Sequence, residues 1–92
     1  MQVNEIKSIT AENKFTPWVS LHGDFSLDIT GITNSTVTLQ RTRDHGITVH
    51  DVQQFTNESF FQGHMADTAC KFRVGVKAGD YGSDTVLVIL EA

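Results

Sequence analysis

Asp24-Phe25-Ser26-Leu27-Asp28-Ile29-Thr30 alternates polar and apolar residues without interruption. Successive side chains of an extended chain point to opposite faces, so Phe25, Leu27 and Ile29 share one face and the polar residues share the other. That is the pattern of a half-buried strand. Val37 and Leu39 within Thr36-Val37-Thr38-Leu39-Gln40-Arg41 repeat it, as do Cys70, Phe72, Val74 and Val76 set between Lys71, Arg73, Gly75 and Lys77. Helical spacing explains neither run.

Between these runs lies turn chemistry. Arg43-Asp44-His45-Gly46 separates two β-branched stretches, and Gly46 suits the left-handed position of a short hairpin loop. In the second arm Ile47 and Val49 share one parity and Val52 has the other, which predicts a bulge or sheet crossing near His50-Asp51. Lys77 to Ser83 and Asp84 hold two Gly and two Asp and read as a longer hairpin loop before a last strand, Thr85 to Leu90. Six or seven short strands at intervals of about 8 to 12 residues predict an all-β fold, a single antiparallel two-sheet β-sandwich of immunoglobulin-like or jelly-roll type with about seven strands. Residues 14–92 form the sandwich. Residues 1–13 form either an N-terminal arm or a first strand, because Ile6 and Ile9 do not alternate cleanly.

The length of 92 residues fits one domain, and 39% hydrophobic with 20% charged residues is the composition of a packed chain. The lone Cys70 allows no internal disulfide, so a reducing compartment is expected. Met1 opens into the polar Gln2-Val3-Asn4-Glu5, so neither a signal nor a transit peptide is expected, and no apolar run is long enough for a spanning helix. Seven Lys and Arg against eleven Asp and Glu give a net charge of −4, which opposes attraction to phosphate backbones and anionic lipid. Nucleic acid and membrane are not expected partners.

Candidate chemistry is sparse. His22, His45, His50 and His64 match no zinc spacing, and His22 with Asp24 or His50 with Asp51 are too local to define an oriented dyad. Cys70 sits on the apolar face of its strand, where a thiol is inert. Asp80 and Asp84 lack the spaced ligands of a calcium loop and read as solvated loop residues. No catalytic residue, metal ligand or cofactor site is assigned, and the chain is expected not to be an enzyme. Trp18, following Thr16-Pro17, reads as a plug at one end of the core; a sugar-stacking platform of Trp18 with Tyr81 is the alternative.

Surplus apolar residues point outward instead. In the last strand Val86, Val88 and Leu90 occupy one face while Leu87 and Ile89 occupy the other, so both faces are apolar. Either the N-terminal segment covers the second face or another chain does. Phe60-Phe61 poses the same question, since adjacent strand residues face opposite ways. Phe60, Phe61, Leu87, Ile89 and Trp18 are therefore the candidate partner contacts.

Thr36-Val37-Thr38-Leu39-Gln40-Arg41, Asp44-His45-Gly46, the short strand ending at Asp51-Val52, and Phe72-Arg73-Val74-Gly75-Val76-Lys77-Ala78-Gly79-Asp80-Tyr81 with Ser83 resemble small β-sandwich virion proteins of tailed bacteriophages. Those proteins carry a VTLQRS-DGG-W-DV hairpin followed by RxGVKxGDYxSGTVxVxL closing strands; here Thr48-Val49 stands where Thr-Trp is usual. The resemblance spans roughly residues 20 to 91 and describes strands and turns, not a catalytic site. It implies a capsid decoration or cement protein, or a head-tail accessory protein, made in the host cytoplasm and residing in the virion. The implied partners are the major capsid protein and further copies of the chain in a homo-oligomer. The polar residues Met1 to Asn13 are expected to reach across to a capsid subunit. Outside this resemblance, a carbohydrate-binding module or a tail adaptor is the alternative function.

Overall fold

The computed structural model describes residues 4–21, 23–65 and 70–92. Among these residues eight strands run in chain order: β1 (Asn4–Ile9), β2 (Lys14–Phe15), β3 (Gly23–Thr30), β4 (Val37–Thr42), β5 (Val49–Phe55), β6 (Ser59–Met65), β7 (Lys71–Val76) and β8 (Val86–Glu91). They form two antiparallel four-stranded sheets, β1-β8-β3-β6 and β2-β7-β4-β5. The chain is thus an all-β two-sheet sandwich, and no helix is present among the described residues.

Alternation decides which side chains meet between the sheets. Ile9, Phe25, Leu27, Ile29, Val86, Val88 and Leu90 of the first sheet pack on Val37, Leu39, Phe72, Val74 and Val76 of the second, all buried. Phe72 is the largest fully buried side chain, and its ring lies 5.9 Å from that of Phe25. Burying a side chain of this size contributes about 2–3 kcal/mol. Cys70, immediately before β7, is buried in the same core.

Residues 4–9 are a strand and not an arm. β1 pairs in register with β8 from Asn4↔Glu91 to Ile9↔Val86, and Ile9 is fully buried. Reaching across to a distant subunit would require unzipping this ladder, because its backbone hydrogen bonds and the Ile9 side chain are already committed.

One connection differs from its sequence reading. The stretch after β7 is not a hairpin loop, since β7 and β8 belong to different sheets; it crosses the sandwich. The β4–β5 hairpin is present, with His45 and Gly46 both at positive φ (61° and 89°). Thr42 and Asp44 hold that turn. The Thr42 hydroxyl accepts from the Gly46 N–H (2.9 Å), and the Asp44 carboxylate accepts from the Thr48 N–H (2.7 Å). The latter bond is the main reason the Asp44 carboxyl lies below its ordinary pKa.

The predicted bulge occurs one residue further along, at Val52. Leu39 pairs with Gln53 but Gln40 pairs with Asp51, leaving Val52 as the extra residue. Asp51 and Phe55 have the same parity in sequence, yet the bulge turns Asp51 outward beside Gln40 and Phe55 inward to the core.

One end of the sandwich gathers the loops after β1, β3, β5 and β7, and three carboxylates tie them together by accepting backbone N–H groups. Glu12 accepts from Gly79 (2.7 Å), Glu58 from Gly31 (2.9 Å), and Asp84 from Thr33, Asn34 and Ser35 (3.0, 2.8 and 2.8 Å). The Thr33 hydroxyl also donates to Asp84. Asp84 is buried, not a solvated loop residue, and these donors hold its carboxyl far below the ordinary range.

Candidate functional site

The outward face of the β1-β8-β3-β6 sheet follows from the registers. Ile6 lies opposite Ile89, Ile89 opposite Asp28, and Asp28 opposite Phe60, forming one row across all four strands. Leu87 flanks Ile89 two residues away on the same strand and the same face. Ile6 is 61% exposed, Phe60 59% and Leu87 37%, with Ile89 half-buried. β1 covers β8 along its edge, so nothing among the described residues covers the second face of β8. Around the row stand Asn4, Ser8, Ser26, Thr30, Gln62 and Glu91, short or polar and exposed to differing degrees. The result is a surface with an apolar stripe and one central carboxylate, Asp28.

The candidate contacts divide accordingly. Phe60, Leu87 and Ile89 lie together on this face. Phe61 does not: it points inward, half-buried, with its ring 6.2 Å from Phe25 and 5.7 Å edge-on from Phe55. Ile6 was missed by sequence reading, because its helpful neighbour, Ile89, becomes visible only through the β1–β8 register.

Trp18 lies on the opposite side of the molecule and does not plug the core. Its ring stacks on the Arg73 guanidinium (4.5 Å), whose other aromatic neighbour is Phe15 (4.1 Å). Gly75 makes room for this arrangement, since a Cβ there would lie 2.1 Å from the Lys14 carbonyl oxygen and 2.8 Å from the Phe15 ring. From Arg73 a polar chain crosses the outer face of the second sheet. Arg73 Nε donates to Gln40 Oε1 (2.9 Å), Gln40 Nε2 to Asp51 Oδ1 (3.0 Å), and Lys77 Nζ to Asp51 Oδ2 (2.8 Å). Lys77 holds the Asp51 carboxyl below its ordinary pKa and is itself raised; burial lowers Arg73. Every group here is occupied by another protein group, which suits holding β4, β5 and β7 together more than binding a ligand. Tyr81 packs against the core and its hydroxyl donates to the Asp84 carbonyl (2.7 Å), so Trp18 and Tyr81 form no shared stacking platform.

The histidines gather no metal site among the described residues. His45 occupies the hairpin turn and His50 is exposed beside Arg41, while His22 lies outside the described residues. His64 pairs with Asp24 instead, Nδ1 to Oδ1 at 2.8 Å across the β3–β6 register, with both side chains exposed. Among the described residues no third group orients this pair towards a nucleophile. A cleft of about 400 Å³ at the β4–β5 hairpin is lined by Arg41, Arg43, Asp44 and His50, and the neighbouring Ile47 is 85% exposed at the hairpin tip.

No protein-family model, curated protein or solved structure matches this chain.

Proposed function

We propose that this chain is a virion structural protein, a capsid decoration or cement subunit that binds the outside of an assembled phage capsid and stabilises it. The carrying observation is the Ile6-Ile89-Leu87 patch with Phe60 on one exposed sheet face. A surface of this kind favours docking on another protein, because burying it releases water from apolar area. The hairpin and closing-strand motifs of the sequence support the virion setting. Repetition over a lattice makes individually weak contacts sufficient.

The test is occupancy of purified capsids by a variant carrying Ile6→Ser, Ile89→Ser and Phe60→Ser, compared with the parent chain by gel densitometry and electron cryomicroscopy. Loss of occupancy with a retained β-sheet circular dichroism spectrum is expected. Full occupancy by the triple variant would sink the proposal.

A further inference from the structure

A sheet edge presents unpaired N–H and C=O groups to any strand that approaches, and proteins guard such edges. The sandwich has four edges, and three carry a guard. β2 is two residues long and is followed by Pro17. β5 is interrupted by the Val52 bulge and bears Asp51. β1 carries Glu5 and Lys7, half-buried on the same side as Ile9, and a strand docking there would have to cover both charges.

β6 carries none of these devices. It is seven residues long, Ser59-Phe60-Phe61-Gln62-Gly63-His64-Met65, and among the described residues it pairs only with β3 in its sheet. Its seven-residue register with β3 shows no bulge, and it contains no Asp, Glu, Lys, Arg or Pro in a chain with eleven acids and seven bases. Its one titratable side chain, His64, is already engaged by Asp24.

We infer that β6 is a self-association edge: two copies of the chain pair β6 to β6 antiparallel about a twofold axis through Gln62, joining their first sheets into one of eight strands. The sequence of β6 is complementary to itself in this register. Gln62 meets Gln62 of the second copy, so no like charges oppose each other at the axis. Phe61 meets Gly63 of the second copy. Gly63 is the residue on β6 with no side chain, and the ring of Phe25 already fills the space on its β3 side, where a Cβ would approach to 2.6 Å. Phe61 from the second copy shields the glycine on its other side, extending the inward aromatic row. On the outer face Phe60 meets His64, whose Nδ1 is held by Asp24.

The association is isologous and closes at two copies. β5 lies on the same side of the sandwich, its Phe55 against Phe61, but its bulge keeps the second sheet from continuing. The inference needs no capsid and is tested on the isolated protein.

Sedimentation velocity over a concentration series is expected to show a monomer–dimer equilibrium. Gln62 is exposed, so Gln62→Lys leaves the thermal midpoint of the dilute, monomeric protein unchanged but places two ammonium groups face to face in the dimer, weakening it about tenfold or more. Gln62→Cys is expected to yield, on mild oxidation, a disulfide joining position 62 of the two copies, mapped by mass spectrometry. A parent chain that stays monomeric at the highest concentration overturns the inference. So does a dimer that Gln62→Lys leaves intact and that gives no 62-to-62 cross-link.

Discussion

Asp84 Oδ2 lies 2.8 Å from the backbone nitrogen of Asn34, fifty residues earlier in the chain. With the neighbouring N–H groups of Thr33 and Ser35 this bond fixes the crossing from β7 to β8 against the crossing from β3 to β4. Its folded-state pKa is depressed, so its contribution to stability is complete above the unfolded value, near 3.8, and is lost as pH falls through the folded value. Asp84→Asn removes the charge at every pH. The variant is expected to melt well below the parent at pH 7, and the gap between the two should narrow on acidification to pH 3. Thermal melts followed by circular dichroism at both pH values check this; a gap that widens in acid would contradict it.

Phe60 and Phe61 are neighbours in sequence and strangers in space. Phe61→Ala removes an inward ring that touches Phe25 and Phe55 and is expected to cost about 2–3 kcal/mol. Phe60→Ala, on the exposed face, is expected to stay within about 0.5 kcal/mol. Urea unfolding of the two variants decides, and equal costs would mean that the strand does not run with this facing.

Arg73 is gripped by Phe15 and Trp18 and hydrogen-bonded to Gln40. Arg73→Lys keeps the charge but loses the planar stack and the geometry of the bond to Gln40. A cost of about 1–2 kcal/mol is expected, with a shift in Trp18 fluorescence towards that of a more solvated indole. An unchanged emission spectrum would show that the guanidinium does not set the Trp18 environment.

Thr38 is fully buried on the outer side of β4, and its hydroxyl oxygen has no hydrogen-bond partner among the described residues. Thr38→Val keeps the branched shape that strands favour and deletes the unsatisfied hydroxyl. The variant is expected to be as stable as the parent or more stable by about 0.5–1 kcal/mol, measured by urea unfolding. A clear loss of stability would reveal a partner for the hydroxyl.

How far the sequence carries follows from whether a signal is local. The alternation of Asp24 to Thr30 and of Cys70 to Val76 fixes strand and facing together, because each residue's direction depends only on its neighbours. The Gly46 turn is local for the same reason. Trp18 is not: its position depends on Arg73 and Gly75, more than fifty residues away, and a cationic stacking partner leaves no pattern around the tryptophan. Asp84 is misread as a solvated residue because its donors are backbone N–H groups of a distant loop, to which any residue type could contribute. The exposed apolar face is half legible. The two-sided apolar character of β8 announces it, whereas Ile6 and the separation of Phe60 from Phe61 require the register.

Deleting the bulge residue Val52 would bring Asp51 and Gln53 into consecutive pairing with Gln40 and Leu39, leaving Phe55 inward and Asp51 outward as before. A one-residue deletion in a strand ordinarily inverts every facing beyond it; here it would leave the fold intact and straighten the ladder. The bulge therefore shapes the β5 edge and not the core: without it the chain would keep its fold, with Asp51 alone left to guard a straighter border.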